Sequence, residues 1–273
     1  MQVVQIGISP CPNDVFIFGA LMLGKVGCEG LQFRFDLQDV ETLNQAAQQA
    51  VFDVVKISCA AYPFCQEQYT ILPAGGALGR GVGPLLLSTD GQWQPDRVTL
   101  VPGEHTTANL LLDFYAKRPL PKIYLPFDRL YTALCRGEAT QGVVIHEKRF
   151  TYARDGLHLI QDLGAYWEQH TGYPIPLGTI LARRSLNLAS TFTDLIRASL
   201  RYAYAHYEEI FDLCKQHAQD LEDEVIASHI QLYVNDYSDD LGEEGMKAID
   251  YLLRYQKAPS PPIAPSEKPE VKG

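Results

Sequence analysis

A histidine at the end of a predicted strand is the residue of this chain best placed for acid–base chemistry. His146 follows the apolar run 142–145, which is typical of a buried strand. An imidazole gains or loses a proton near neutral pH, so it can act as a general base. Because a lone histidine is more often structural, the strand-end position is what favours His146. His105, beside two threonines, is its rival, and the other histidines lie in surface-like or helical contexts: His158, His170, His206, His217 and His229.

Small hydroxyl residues at helix starts suggest a cradle for an anion. Ser58 follows the strand pattern 52–57, and Thr106 and Thr107 follow the strand pattern 98–101. Hydroxyl and backbone N–H groups at the positive end of a helix suit a carboxylate or a phosphate. The competing interpretation is that each residue only caps the helix after it. Several such ends directed at one cleft favour the ligand-binding interpretation.

Three further features could belong to a site. Cys11, close to a helix start, is either a nucleophile or, in the more common case, a buried thiol. The glycine-rich run 75–83 lacks the spacing of a nucleotide loop and indicates a tight turn that lets backbone approach a ligand. Arg80 in that run could contact an anion or form a surface salt bridge. No metal site is predicted, since the chain has neither an H-E-x-x-H motif nor cysteines spaced C-x-x-C.

These residues must be positioned by strands and helices that alternate along most of the chain. That alternation favours parallel α/β sheets, with ligands bound beyond the carboxyl ends of the strands. Asn13, which follows two prolines, is the predicted N-cap of the first helix. Strand patterns cover 3–8, 31–38, 52–57, 69–72, 84–88, 98–101, 122–125, 142–145 and 158–163. Helix patterns cover 14–23, 41–50, 106–116, 128–137, 191–204, 207–217, 222–233 and 242–257.

Two alternating blocks separated by connectors predict two lobes. A ligand would then lie in the cleft between the lobes. We expect a larger, discontinuous lobe (1–88 and 183–258), a smaller lobe (97–176), two connectors (89–96 and 177–182) and a proline-rich tail (259–273). The five prolines and many charges of the tail predict that it is disordered or lies along the surface.

Composition excludes several classes of protein. The 273 residues are 46% hydrophobic and 21% charged, which is typical of a globular chain. Its 23 basic and 33 acidic residues give a net charge of -10, which argues against nucleic acid or an anionic membrane as a partner. No apolar stretch is long enough to span a bilayer, and no basic signal peptide opens the chain. We therefore expect a cytoplasmic protein with free thiols, whose oligomeric state the sequence leaves open.

Six segments resemble, in the same order, those of the 1,4-dihydroxy-6-naphthoate synthases of the futalosine route to menaquinone. The resemblance extends from about residue 3 to residue 250 and departs from the family pattern at Val15, where we expect Thr. The segments are SPCPNDVFIF (9–18), DVETLN (39–44), KIS (56–58), GGALGRGVGP (75–84), HTTA (105–108) and IHE (145–147).

This resemblance implies a two-lobed α/β fold of the periplasmic-binding-protein-like (type II) class, used as an enzyme without a cofactor. It implies a carbon–carbon lyase that converts cyclic dehypoxanthine futalosine to 1,4-dihydroxy-6-naphthoate and releases dihydroxyacetone. His146 matches the proton acceptor proposed for the family. The substrate-contacting segments of the family match Lys56, Ile57 and Ser58, and Thr106, Thr107 and Ala108.

The residues suit that chemistry. Strand-end hydroxyls and helix N-termini can hold an aromatic carboxylate, and an imidazole can start carbon–carbon cleavage by removing a proton. Asn13, Asp14 and Asn44 are candidates to orient the sugar-derived hydroxyls of the substrate. Two other functions remain open from the sequence. One is a non-catalytic carboxylate-binding protein of the same fold, and the other is a chorismate dehydratase of the same route.

Overall fold

Two β-sheets share the strands of the chain, and this computed structural model describes residues 1–218 and 221–257. The first sheet contains β1 (Gln2–Ile8), β2 (Leu31–Leu37), β3 (Val54–Ser58), β4 (Tyr69–Ile71), β5 (Ala77–Gly79) and β11 (Ile175–Arg183). The second sheet contains β6 (Leu85–Ser88), β7 (Thr99–Val101), β8 (Lys122–Tyr124), β9 (Gln141–Val144) and β10 (His158–Asp162). The tail 259–273 lies outside the described residues.

Strand direction is mixed in both sheets. The first sheet has the order β2-β1-β3-β11-β4, with β5 paired to β11; β1 is parallel to β2 and β3, but β11 is antiparallel to its neighbours. The second has the order β10-β6-β9-β7-β8, in which β7 is parallel to β8 and β9, but β6 is antiparallel to β9 and β10. The expectation of parallel sheets is therefore wrong for β6, β10 and β11. These strands adjoin the passages between the sheets, whereas parallel pairing needs a crossover that returns to the same sheet.

The passages between the sheets differ from the predicted connectors. The chain crosses between β5 and β6 and returns between β10 and β11. Residues 85–88, expected in the larger lobe, pair instead within the second sheet. Residues 177–182, expected as a connector, belong to β11 of the first sheet. Both segments are short apolar runs, and such a pattern cannot tell which of two sheets a strand joins.

Helices cover the sheets and supply several residues of the cleft described below. The helices are α1 (Pro12–Met22), α2 (Val40–Gln48), α3 (Thr107–Ala116), α4 (Phe127–Cys135), α5 (Leu163–Thr171), α6 (Ala189–Ala205), α7 (Tyr207–His217), α8 (Asp223–Tyr233), α9 (Asp236–Asp239) and α10 (Gly242–Lys257). Short 3-10 helices occupy Cys59–Phe64, His146–Phe150 and Arg184–Leu186. Across the described residues, no helix combines the length and apolar character that crossing a bilayer requires.

Helix α1 begins earlier than predicted. Cys11 is the N-cap, without a side-chain hydrogen bond, and Pro12 takes the first helical position. Proline is favoured there because its φ is already helical and its missing N–H would have had no partner. Asn13 therefore lies inside the helix and is not its cap. Every residue from Pro12 to Leu21 is buried, as the apolar sequence predicts, so polar side chains in this helix must find partners within the protein.

A continuous buried cluster connects the two sheets. It contains Ala60 and Leu78 from the first-sheet part of the chain and Leu111 and Val143 from the second-sheet part, together with Trp167 of α5. Close packing of this kind resists small displacements of the elements that share it. The residues at the strand ends therefore project from two units that are packed against each other.

Candidate active site

A cleft lies where strand ends of both sheets meet. Its wall contains the last residues of β3 and residues that follow β1 and β9, together with the start of α3. Nine residues expected from the sequence line it: Asn13, Asp14, Lys56, Ile57, Ser58, Thr106, Thr107, Ala108 and His146. The remaining lining residues include Ser9, Val40, Val82, Pro84, Leu177, His229 and Tyr233. The cleft thus joins an imidazole, a helix start and an apolar wall.

His146 has an unusual backbone conformation for a residue other than glycine. It comes after β9 and Ile145 and has a φ of 56°, in the left-handed region. Such backbone costs free energy and often marks a functional site. Its Nδ1 lies 3.3 Å from Sγ of Cys11, and its ring meets the ring of Phe127 edge-on at 5.2 Å between centroids. The ring is therefore held between a thiol and an aromatic edge at the cleft.

Cys11 is a thiol and not a thiolate at neutral pH. Burial raises its pKa well above the usual range, and the negative charges of Glu147 and Asp14 raise it further. The reactive form of cysteine is the thiolate, so the raised pKa argues against the nucleophile, although the residue is only partly buried. A thiol can donate or accept a weak hydrogen bond, so Cys11 can support either neutral tautomer of His146.

Asp14 and Lys56 form a buried ion pair at the base of the cleft. Their side chains are only 5% and 6% exposed, and Nζ of Lys56 lies 3.2 Å from Oδ1 of Asp14. Lys56 also donates to the carbonyl of Gly75 at 2.7 Å. The carboxylate accepts from the Ser9 hydroxyl at 2.7 Å and from the Asn13 amide at 2.8 Å. The charges of both residues are therefore matched within the protein.

Ser58 offers a hydroxyl donor that is oriented from behind. Its backbone N–H donates to Oδ1 of Asn44 at 2.9 Å, and its Oγ accepts from Nδ2 of Asn44 at 3.2 Å. The hydroxyl proton of Ser58 is thus left to donate into the cleft. Asn44 is fully buried and does not line the cleft, so the expectation that it contacts a ligand is wrong. Its role is to position Ser58. Nδ2 of Asn44 also donates to Glu41 at 3.0 Å.

The threonine hydroxyls at the start of α3 are already bonded within the protein. Thr106 caps the helix by accepting from the N–H of Asn109, as the competing interpretation of the sequence holds. The hydroxyl of Thr107 donates to the carbonyl of Leu177 at 2.8 Å and accepts from the N–H of Ala60 at 3.3 Å. The backbone N–H groups of Thr107 and Ala108, in the first turn, have no acceptor within the helix. They are the groups that can meet an anion here.

Two residues expected near a ligand lie elsewhere. Arg80 is half exposed, forms an ion pair with Glu244 at 3.0 Å and donates to the carbonyl of Gly172, outside the cleft lining. The glycine-rich run places this side chain at the surface. Arg80 therefore forms a surface salt bridge, which is the alternative to an anion contact that the sequence leaves open. His105, the rival to His146, also lies outside the lining and pairs with Glu41 at 2.8 Å.

Sequence reasoning missed two residues that line the cleft from α8. His229 is 1% exposed, and burial lowers its pKa well below the usual range, with a further contribution from His146. Burial also raises the pKa of Tyr233 to about 12, although Arg149 opposes the shift. His229 and Tyr233 are four residues apart and share a helix face. This four-residue spacing is visible in the sequence, but the sequence does not indicate that this face of the helix lines the cleft.

Within the described residues, no three His, Cys, Asp or Glu side chains are grouped as metal ligands would be. A family model described as "Menaquinone biosynthesis" matches residues 4–258. The chain belongs to this family. Members of the family are enzymes of menaquinone synthesis, and this chain is one of them.

Two named relatives support the same assignment. The chain is 45% identical over 269 residues to the 1,4-dihydroxy-6-naphthoate synthase of Thermus thermophilus, with 96% of this chain and 98% of the relative covered. It is 42% identical over 259 residues to the enzyme of the same name from Streptomyces coelicolor, with 92% and 91% covered. The resemblance stated from the sequence is therefore confirmed over nearly the whole chain.

Solved structures support the fold. Protein AF1704 of Archaeoglobus fulgidus has a TM-score of 0.87 and 32% identity, with 93% of this chain and 96% of that chain covered. A Candida albicans protein, CA3427, described as having the generic periplasmic binding protein fold, has a TM-score of 0.66 and 11% identity, with 94% and 90% covered. The second likeness concerns the fold alone. The expected two-lobed, periplasmic-binding-protein-like fold is confirmed.

Proposed function

We propose that this chain is a carbon–carbon lyase that converts cyclic dehypoxanthine futalosine to 1,4-dihydroxy-6-naphthoate and releases dihydroxyacetone. It would act in the cytoplasm, in the futalosine route, without a cofactor. The names of its relatives support the product. The observation that carries the proposal is the cleft, in which the ring of His146 shares one cavity with the hydroxyl of Ser58 and the first turn of α3.

In this proposal, the carboxylate of the substrate binds at the start of α3. The backbone N–H groups of Thr107 and Ala108 and the hydroxyl of Ser58 donate to it. These local dipoles are needed because the net charge of -10 repels an anion at long range. The cation of Lys56 is neutralised by Asp14, so it contributes little attraction to the carboxylate. The apolar wall, which includes Val82 and Leu177, would cover the aromatic part of the substrate.

His146 would act as the general base. A neutral imidazole takes a proton from the sugar-derived part of the substrate, and the carbon–carbon bond to that part breaks. The new aromatic ring supplies the driving force, so the protein contributes chiefly positioning and proton transfer. The ring of His146 is fixed by Cys11 and Phe127, which supports this role because a general base must reach its proton in one defined geometry.

The direct test is conversion of the proposed substrate. The purified chain is incubated with cyclic dehypoxanthine futalosine and no added cofactor, and the mixture is analysed by mass spectrometry. We expect the naphthoate and dihydroxyacetone in equal amounts. Bound but unchanged substrate would favour a non-catalytic binder of the same fold, whereas dehydration of chorismate in a parallel incubation would favour the sister enzyme of the route.

A further inference from the structure

One buried ring nitrogen of His229 lacks a partner among the residues that the structure describes. Nε2 lies 3.1 Å from Oδ1 of Asn13, but no group of the described ranges is hydrogen-bonded to Nδ1. The residue is 1% exposed. A buried polar atom that lacks a partner is costly, so each such atom in a folded protein calls for an explanation. A bound ligand with a donor group would supply the missing partner.

The ion pair of Lys56 and Asp14 determines how the groups next to His229 are oriented. The ammonium of Lys56 lies 3.2 Å from Oδ1 of Asp14, and the hydroxyl of Ser9 donates to Oδ2 of the same carboxylate at 2.7 Å. Both partners are donors, so the oxygens of this carboxylate act as acceptors of hydrogen bonds.

That carboxylate fixes the orientation of the Asn13 amide. The side chain of Asn13 has one end 2.8 Å from Oδ1 of Asp14, and this end must be the Nδ2 donor because the carboxylate only accepts. The other end, Oδ1, therefore faces His229. A carbonyl oxygen only accepts, so Nε2 of His229 must carry a proton.

The tautomer of His229 follows from this sequence of bonds. Burial keeps the ring neutral, because it lowers the pKa well below the usual range. A neutral imidazole carries one proton, and that proton is on Nε2. Nδ1 therefore presents an unused lone pair. Lys56 contacts Asp14, Asp14 orients Asn13, and Asn13 fixes the proton position on His229. We call these four residues the tautomer chain.

The ring of His229 also lies beside the proposed general base. Both His229 and His146 line the cleft, and their ring centroids are 6.4 Å apart with the planes inclined by 23°. Burial makes His229 a poor base, because it lowers the pKa of the ring well below the usual range. Its Nδ1 can instead accept a hydrogen bond beside His146.

We propose that Nδ1 of His229 accepts a hydrogen bond from a hydroxyl of the sugar-derived part of the substrate, and that the tautomer chain fixes the lone pair needed for it. The inference rests on the proposed function for the identity of that hydroxyl. It assigns Asn13 and Asp14 a different role from the one expected from the sequence. They orient His229, and His229 orients the substrate.

A matched pair of variants tests this contact. His229→Asn keeps a polar atom near the position of Nδ1, whereas His229→Leu has a similar shape without polar atoms. We expect the KM of H229L to exceed that of H229N by about ten-fold, with comparable melting temperatures, because only the leucine lacks a hydrogen-bonding partner for the hydroxyl. His206→Asn, at an exposed histidine, is the control and should behave as wild type. Equal KM values for two folded variants would overturn the proposal.

A measurement on the unchanged ring covers the case in which a variant fails to fold. In the ¹⁵N NMR spectrum of the full chain, we expect Nδ1 of His229 unprotonated and Nε2 protonated between about pH 6 and pH 8. Adding substrate to the His146→Asn variant should shift the Nδ1 resonance. A proton on Nδ1, or no shift at saturating substrate, overturns the inference.

The two proposals fail in different ways. A wild-type chain that leaves cyclic dehypoxanthine futalosine unchanged overturns the proposed function. A wild-type chain that converts it, while H229L and H229N have the same KM, overturns only the role of His229.

Discussion

Glu41 and His105 connect the two sheet units at the edge of the cleft. Oε1 of Glu41, on α2, lies 2.8 Å from Nδ1 of His105, which follows β7, and the backbone N–H of His105 donates to the same carboxylate. Glu41 also accepts from Asn44, which positions Ser58. A Cβ on Gly103 would lie 2.5 Å from Oε2 of Glu41, so a larger residue here would displace this carboxylate. Through Glu41, the packing of the two sheet units is therefore connected to the position of the Ser58 hydroxyl in the cleft.

We expect Glu41→Ala to lower the free energy of unfolding by about 2 kcal/mol. Hydrogen bonds to a charged group contribute about 1.5–3 kcal/mol, and this carboxylate is mostly buried. Urea unfolding followed by circular dichroism measures the change. Glu243→Ala is the matched control, because its pair with Lys247 is exposed and should contribute little to stability. Equal stability of the two variants would contradict a connecting role for Glu41.

Ser58 and Thr107 should respond differently to loss of their hydroxyls. Ser58→Ala should raise KM about ten-fold with little loss of stability, because it removes a free donor while Asn44 keeps its bond to Glu41. Thr107→Ala should lower the free energy of unfolding by about 1–2 kcal/mol, because its hydroxyl bridges Leu177 and Ala60. Steady-state kinetics and urea unfolding of both variants separate the two effects. If both variants change KM alone, the bridging role of Thr107 is wrong.

Cys11 should react slowly with alkylating agents. Burial raises its pKa, so little thiolate is present at neutral pH, whereas Cys28 and Cys135 are exposed. Iodoacetamide labelling followed by peptide mass spectrometry should show modification of Cys11 at least about ten-fold more slowly than of Cys28. Cys11→Ser should retain turnover within about ten-fold. Fast labelling, or complete loss of turnover in the serine variant, would restore the nucleophile interpretation.

His229 should make stability depend on pH in a defined direction. Its pKa is lower in the folded chain than in the unfolded chain, so below the usual histidine pKa of about 6.5 the unfolded chain binds the extra proton first. Stability is therefore complete above that value and falls as pH decreases, by at most about 1.4 kcal/mol per pH unit. His229→Gln lacks this group and keeps the other histidines. Thermal unfolding between about pH 7 and pH 5 should show a steeper decline for wild type, and parallel curves would show that His229 is not buried as a neutral ring.

Much of the cleft could be predicted because strand ends carry local signals. The apolar run before His146 and the strand that ends at Ser58 are readable in the sequence, and ligands bind beyond the carboxyl ends of such strands. The structure places both residues on one cleft, although their strands belong to different sheets. The proposed role of His146 as general base comes from the family resemblance, because the pattern alone only suggests it.

The rest could not be predicted because it depends on contacts distant in sequence. Asn13 meets His229 across 216 positions, and no local pattern relates the two. The sequence predicts a ligand contact for the hydroxyl of Thr107, but this hydroxyl donates to the carbonyl of Leu177, seventy positions away. The sequence indicates Arg80 as a possible anion contact. Tertiary structure instead places its loop beside Glu244, where the two side chains form an ion pair. The sequence therefore indicates which chemical groups are available, but it does not indicate which of them form hydrogen bonds or ion pairs with one another.

The most direct test of the central claim is turnover by a His146→Gly variant. Glycine tolerates the φ of 56° and removes only the imidazole, so the backbone at the cleft should be unchanged. Conversion of cyclic dehypoxanthine futalosine, followed by mass spectrometry, should fall by ~10²–10⁴-fold relative to wild type, and added free imidazole should restore part of it. Turnover close to that of wild type in a folded H146G variant would contradict the account.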